Sequence, residues 1–551
     1  MPKIDVNEKL FFDLTGRKYS RMELELALQG AKAELDAWEA DAGSPPEDRT
    51  LRIELNDTNR PDLWSTAGIA RQLRTLAGGA APDYPFFSRE GAARPASRRV
   101  VVDASVLEVR PFIAAFMISG RPISDSMLRD AIQTQEKLCW NYGRKRASVS
   151  MGIYRTSLIQ WPVQYKAVPA ASVRFVPLQM TEALNLEEIL DKHPKGQEFG
   201  YITRGRKLHP LLTDSRGGVL SYPPIINSAD IGAVQVGDSD ILVELTGTVL
   251  SSVALSASIV ACDFADAGYT IVPVAIDYPE PTAFGRTVVF PYYFQAPVSV
   301  DSSRVSRVLG LSFSPRAVAE ALARMGVRSE IHGQFVTAFP PEYRNDYLHP
   351  VDIVEDVMIG CGMGSFAPER PKDFTIGRLT PVEVLARKAK SILVGMGYQE
   401  MVYNYLGSGR DFIERMNVDA SPVLRIANPM TEGFEYVRPS ILPCVLGSES
   451  VSGKAVYPHR IFEVGKVAFK DELANYGTAT RTWLGFLSAH AEANFNEAAS
   501  LISALLYYLG EEYSVEGSED PRFIPGRQAR IHGQDKVQTF RPGRLAYRPD
   551  R

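Results

Sequence analysis

Apolar residues along the chain change their spacing several times, and each change predicts a different kind of element. From Thr380 the stretch TPVEVLARKAKSILVGMGYQEM keeps helical spacing. Thr380 with Glu383 forms a capping box, Pro381 takes the first helical position, and Gly395 and Gly397 end the helix before a strand. Between about 99 and 290 the pattern shortens to the β-rich runs RRVVVDASVLEV, DILVELTGTVL and YTIVPVAI, separated by polar turns. Proline-rich passages at 80–98, 289–303 and 365–374 lack apolar periodicity and mark boundaries. The expected fold class is multidomain α+β: a small N-terminal module over 1–85, a mixed α/β domain over 95–290, a second small helical α+β module over 298–368, and a last domain over 372–551.

The first and third of these units echo each other. GRKYS followed by Leu28 matches GLSFS followed by Leu322, and in both the serine, Ser20 or Ser314, opens a helical apolar pattern as an N-cap. Further on, each has an Asn-Asp pair with proline four residues beyond the aspartate: Asn56, Asp57 and Pro61 in one, Asn345, Asp346 and Pro350 in the other. Two related modules are expected.

The second copy carries an unusual density of acid. In RNDYLHPVDIVED, residues 344–356, Pro350 starts a helix that puts Asp352, Glu355 and Asp356 on one face, with Asp346 in the loop before them; Val351, Val354, Val357 and Met358 cover another face. A helix dipole accounts for one or two acids near its start, at about 0.3–1 kcal/mol each. Four like charges repel, and a divalent cation such as Mg²⁺ would reverse the sign, several of the acids acting through water. A solvated acidic face is the alternative. The first copy has only Asp57 and Asp62, so the cluster is not a requirement of the fold.

Composition changes this picture little. The chain has 551 residues, a formal charge of −4, 45% apolar and 23% charged residues, the values of a folded protein of several domains. A net acidic chain still holds RNA through a local basic patch. Cys139, Cys262, Cys361 and Cys444 lie far apart, without zinc or disulfide spacing, and no apolar stretch approaches the ~20 residues of a membrane span. A cytoplasmic location is expected, and the seven histidines show no catalytic or metal spacing.

Several stretches together resemble one family, the beta subunit of phenylalanyl-tRNA synthetase in its archaeal and eukaryotic form. They are NDTNRPDLWSTAGIARQL, NYGRKRASVSMGIY, SYPPIINSADIGAV, RNDYLHPVDIVEDVMIG, NPMTEGFEYVRPSILP and RIFEVGKV, in the family's order and spanning most of the chain. The resemblance implies a heterotetramer of two alpha and two beta subunits, with phenylalanine activated in alpha. It implies Mg²⁺ at Asp346, Asp352, Glu355 and Asp356 near the surface shared with alpha. It makes the last domain a class II synthetase-like antiparallel sheet domain with a degenerate site, since no glycine-rich strand followed by an arginine able to bind ATP is found there.

The resemblance also makes 95–290 an editing domain that hydrolyses tyrosine wrongly attached to the phenylalanine tRNA. An apolar pocket rejects an added hydroxyl only about 10²-fold, so a second site raises fidelity. Pro223 and Pro224 would stiffen the substrate loop, Asn227 and Ser228 supply polar groups, and Glu244 receive the tyrosine hydroxyl or orient water, with Thr246 beside it. On the residues alone, a stiff turn and an ordinary strand with one exposed acid account for the same stretches. Arg144, Lys145 and Arg146, beside Trp140 and Tyr142, form either a tRNA phosphate contact or a solvated basic turn. GIYRTSLI lacks the acidic pair usual after that glycine, and the last 25 residues lack the family's closing element. Both departures motivate an alternative, a non-catalytic tRNA-binding or assembly scaffold.

Overall fold

The computed structural model describes residues 2–39, 45, 47, 49–56, 59–533 and 543–546. Two compact units divide the chain, Met1–Glu369 and Arg370–Arg551.

The first unit begins with β1 (Lys3–Asn7), α1 (Glu8–Thr15), α2 (Arg21–Leu28), β2 (Ala33–Glu39), β3 (Thr50–Leu55) and α3 (Thr66–Leu76), in which the sheet order is β1-β3-β2. Ser20 caps α2 through a complete capping box with Glu23, and Ser65 caps α3.

A ten-stranded sheet follows. Its members are β4 (Arg98–Val102), β5 (Phe112–Ser119), β6 (Val149–Arg155), β7 (Val163–Val168), β10 (His209–Thr213), β11 (Val219–Tyr222), β12 (Ile226–Asn227), β13 (Ile241–Gly247), β14 (Thr270–Thr282) and β15 (Gly285–Phe290). They lie in the order β12-β11-β10-β7-β4-β14-β5-β13-β6, with β15 also on β14. Between them come α4 (Asp125–Lys137), the small hairpin of β8 (Arg174–Phe175) and β9 (Leu184–Asn185), α5 (Leu186–Lys192), α6 (Pro194–Phe199) and the long buried α7 (Leu250–Asp266), which packs on β5 and β13. Of the run RRVVVDASVLEV only the first part is strand: Asp103 accepts from the Ser105 N–H and turns the rest into a short 3-10 segment.

The unit closes with β16 (Val298–Asp301), α8 (Ser302–Leu309), α9 (Pro315–Arg324), β17 (Arg328–His332), β18 (Phe335–Phe339) and α10 (Pro350–Cys361), the sheet order being β16-β18-β17. Element sequence and strand order are those of the first module, so the short echo at Ser20 and Ser314 reflects a repeated β-α-α-β-β-α architecture. Asp57 lies outside the described residues.

Buried ion pairs join these parts. Arg71 on α3 reaches Asp263 at 2.5 Å and Asp266 at 2.7 Å on α7, and its guanidinium lies 4.2 Å from the centre of the Tyr343 ring. One apolar core runs through the first module and the ten-stranded sheet, and a second fills the repeat around Val305, Leu322 and Val357.

The second unit contains α11 (Pro381–Gly395), β19 (Gln399–Glu400), β20 (Leu406–Gly407), β21 (Tyr436–Val437), α12 (Leu442–Val451), β22 (His459–Lys470), β23 (Thr478–Ala489), α13 (Phe495–Leu509), β24 (Tyr513–Gly517), β25 (Gln528–Gly533) and β26 (Gly543–Ala546). The helix expected from Thr380 is present, with Thr380 accepting from the Glu383 N–H. The hairpin β22-β23 pairs antiparallel along its whole length and buries Arg438 against Glu463 at 2.7 Å. In the segment with no expected closing element, Gln528–Gly533 is the central strand of a β24-β25-β26 sheet; 534–542 and 547–551 lie outside the described residues. No helix among the described residues is long and apolar enough to cross a membrane.

Candidate functional site: a buried polar layer on the ten-stranded sheet

Strand alternation puts Leu242, Glu244 and Thr246 on one face of β13. Glu244 is paired across the sheet with Ala115 on one side and Gly152 on the other, two of the smallest residues available. A Cβ built on Gly152 would stand 2.1 Å from the Tyr154 hydroxyl and 2.8 Å from Glu244 Oε2, so glycine is required for this approach. Glu244 is 2% exposed and therefore not the exposed strand acid of the bland reading.

The carboxylate is only half satisfied. The Tyr154 hydroxyl, fully buried, lies 2.7 Å from Glu244 Oε2 and 2.9 Å from Ser221 Oγ, while Glu244 Oε1 has no hydrogen-bond partner among the described residues. Burial pushes the carboxyl up to about 7, against the opposing pull of the Tyr154 hydroxyl, the Arg110 charge and the nearby Thr246 hydroxyl. An acid that titrates near neutrality and keeps one bare oxygen inside a protein is a candidate for substrate contact.

Thr246 sits one step along the same face. Its hydroxyl accepts from Arg110 Nε at 3.0 Å and shares a hydrogen bond with Ser150 Oγ at 3.0 Å. Arg110 donates further to the carbonyls of Thr246 and Ala147 and to Ser150 Oγ.

The proline pair turns the chain between β11 and β12: the Pro223–Pro224 peptide is cis, and the Ile225 N–H closes the turn on the Tyr222 carbonyl at 2.8 Å. Asn227 and Ser228 do not point a free polar group at Glu244. Asn227 donates weakly to the Ile153 carbonyl at 3.4 Å, and Ser228, buried, caps a turn by accepting from the Ile231 N–H. Ser221 supplies the polar contact from this hairpin instead.

The basic run is more structural than its composition implies. Arg144, Lys145 and Arg146 all have left-handed φ, at 49, 52 and 67°, a conformation that side chains with a Cβ adopt at a cost. Their N–H groups bond the Asn141, Trp140 and Cys139 carbonyls and so stop the preceding helix. Arg146 does not offer its head to phosphate: it donates to the Pro224 and Ile225 carbonyls at 3.2 and 3.0 Å and lies over the Phe199 ring. Arg144 and Lys145 remain exposed.

The four carboxylates of the repeat are dispersed rather than gathered. Arg344, fully buried, donates to both oxygens of Asp346 at 2.9 and 2.6 Å and to Asp356 at 2.5 Å, where the Tyr347 hydroxyl also donates. Burial would raise the Asp346 carboxyl, but the Arg344 charge holds it far below the usual carboxylate range. Asp352 turns back to its own helix start and accepts from the Leu348 and His349 N–H groups at 2.8 and 2.7 Å. Glu355 reaches Lys32 of the first module at 2.8 Å. Asp346 and Asp356 share one internal guanidinium, and among the described residues no group of three or more acidic, histidine or cysteine side chains stands together as the expected four-carboxylate Mg²⁺ site would have it. Asp352 and Glu355 lie three residues apart on α10, Glu355 exposed.

Arg110, Tyr154 and Ser221 were not singled out by sequence. Tyr154 had a signal, since it alternates with Gly152 on β6 and so shares the Glu244 face; Arg110 had none.

Comparison with known proteins matches this architecture. Residues 298–363, the repeat bearing the acids, fit the tRNA synthetase B5 domain, and 369–540 fit the phenylalanyl tRNA synthetase beta chain CLM domain. The chain is 45% identical to the phenylalanine–tRNA ligase beta subunit of Borrelia garinii, covering 96% of this chain and 93% of that protein, and 46% identical to that of Treponema pallidum, covering 97% and 94%. A crystal structure of an N-terminal fragment of the Pyrococcus horikoshii phenylalanyl-tRNA synthetase beta subunit superposes with a TM-score of 0.60 at 32% identity, over 66% of this chain and the whole fragment. These two curated relatives are bacterial and do not by themselves support the narrower archaeal and eukaryotic form. The chain belongs to the phenylalanine–tRNA ligase beta subunit family.

Proposed function

We propose that this chain works as the beta subunit of a phenylalanine–tRNA ligase of two alpha and two beta subunits, supporting ATP-dependent attachment of phenylalanine by alpha and hydrolysing tyrosine from mischarged tRNA. Membership of the family makes it a component of a ligase complex. Large apolar side chains left open on residues 370–551, among them Phe374 at 88%, Val402 at 86% and Met430 at 97%, favour a protein partner there. Arg438 is consumed by Glu463 and the Lys466 carbonyl, which supports a sheet domain without its own activation site. The 32% identity to an archaeal fragment over its full length supports the archaeal-type reading.

The observation that carries the editing reading is the buried Glu244 carboxylate with its partnerless Oε1, on a layer closed by the Pro223–Pro224 hairpin. A tyrosyl hydroxyl entering the layer would satisfy that oxygen, whereas a phenylalanyl ring would leave it bare, and a bare buried acceptor costs about 1–3 kcal/mol. For Mg²⁺ the donor set we favour is Asp352 with Glu355, since this ion takes one or two carboxylates and keeps its waters. The test is deacylation of tyrosyl-tRNA carrying the phenylalanine anticodon, by the chain reconstituted with alpha. Glu244→Ala is expected to slow it at least about tenfold, the ~1.4 kcal/mol of one hydrogen bond. An unchanged rate would remove Glu244 from the site, and no hydrolysis by the unaltered complex would favour the scaffold alternative.

A further inference from the structure

Beside the polar layer lies a cavity of about 220 Å³ whose wall includes Arg110, Tyr201, Thr203, Arg206, Pro224 and Thr248. Three features of that wall favour negative charge.

The first is Arg110 itself. Arg60, Arg71, Arg344 and Arg438 are buried too, and each meets a carboxylate at 2.5–2.8 Å. Arg110, 2% exposed, has no carboxylate within ion-pair distance among the described residues and donates only to neutral oxygens of Thr246, Ser150 and Ala147. Glu244 acts on it only from beyond Thr246. A buried cation without a counter-charge is unfavourable until an anion arrives. The second is α7, 17 residues long, which starts two residues after Thr248 and has no side-chain cap at Val249. Its positive dipole end thus begins just beyond Thr248, which lines the cavity. The third is the rim: Arg206 is exposed, and Tyr201 beside it is 59% exposed and offers a ring face for a base.

We propose that this cavity binds a phosphate group of the tRNA acceptor end, with Arg110 and the start of α7 meeting its charge and Tyr201 taking the adjoining base. The proposal rests on the deacylation reading for the source of the phosphate, because Thr246 links Arg110 to the face where the ester would lie beside Glu244. It adds an anion subsite next to the acid, formed by residues outside the sequence motifs.

Arg110→Gln removes four internal hydrogen bonds and risks misfolding, so the decisive variant is Thr248→Glu. Thr248 is exposed, and an acid just before a helix suits its dipole, so the fold is kept while the cavity gains a repelling charge. Titration of the full chain with the trinucleotide CCA and with inorganic phosphate, alongside thermal melting, reads the result. CCA is expected to bind the unaltered chain, to be displaced by phosphate at higher concentration, and to bind Thr248→Glu at least tenfold more weakly with the melting temperature held. Equal binding by both proteins, or none by either, would overturn the site; phosphate binding without CCA binding would overturn its assignment to tRNA. These readouts do not pass through Glu244, so failure of the hydrolysis reading in the Glu244→Ala assay and failure of the anion site are separate results.

Discussion

Two buried charge clusters in the same unit follow opposite rules. Around Arg344 the groups answer one another: two carboxylates accept from its guanidinium, and a tyrosine hydroxyl donates to one of them. Around Glu244 and Arg110 the accounts stay open, with a carboxylate oxygen bare on one side and a guanidinium without an acid on the other. Closed networks of this kind hold modules together. Open ones are held in place by surrounding structure and wait for something from outside.

The largest effect should come from breaking the closed cluster. Arg344→Ala leaves Asp346 and Asp356 buried without their cation and is expected to destabilise the chain by about 3–5 kcal/mol in urea unfolding. Adding Asp346→Leu and Asp356→Leu to Arg344→Met should return most of that loss; if it does not, the cluster holds more than its own charges.

The open cluster should respond in the other direction. The Glu244 carboxyl is raised from 4.5 to about 7 in the folded chain, so its protonated form favours folding below pH 4.5 and that contribution is lost as the pH rises through 7. At pH 8 burying the charge opposes folding by about 3 kcal/mol, taking ~1.4 kcal/mol per pKa unit. Glu244→Gln should therefore be the more stable protein at pH 8, with the difference vanishing near pH 4.5. Stability curves that coincide across this range would erase the contrast between the clusters.

The smallest change concerns the outer acids. Glu355 is 46% exposed at its side chain, and losing its pair with Lys32 should cost under ~1 kcal/mol. Asp352→Asn with Glu355→Gln should instead lower Mg²⁺-dependent association with alpha; association indifferent to both changes and to chelator would remove the metal from α10.

Much of the fold was legible because its signals are local. Ser20, Ser314 and Thr380 cap helices through neighbours three residues away, and the repeat showed itself through such caps and two Asn-Asp pairs. The acid cluster was legible in position but not in partner. Arg344 stands at the head of the same stretch, yet only the folded loop shows its fork spanning Asp346 and Asp356, and Lys32 comes from 323 residues away. Glu244 was visible as a strand acid, whereas its burial depends on Gly152 and Ala115 from two other strands. Arg110 sits in no motif, the nearest charge in sequence being Glu108 two residues before it, and what distinguishes it in the fold is the carboxylate it lacks.

The repeated modules share one more property. In both, the strand made last, β3 or β18, is the central one, and the two outer strands touch only it. A nascent chain leaving the ribosome therefore has no sheet to assemble until that final segment emerges, so each module snaps shut late and as a whole rather than growing strand by strand.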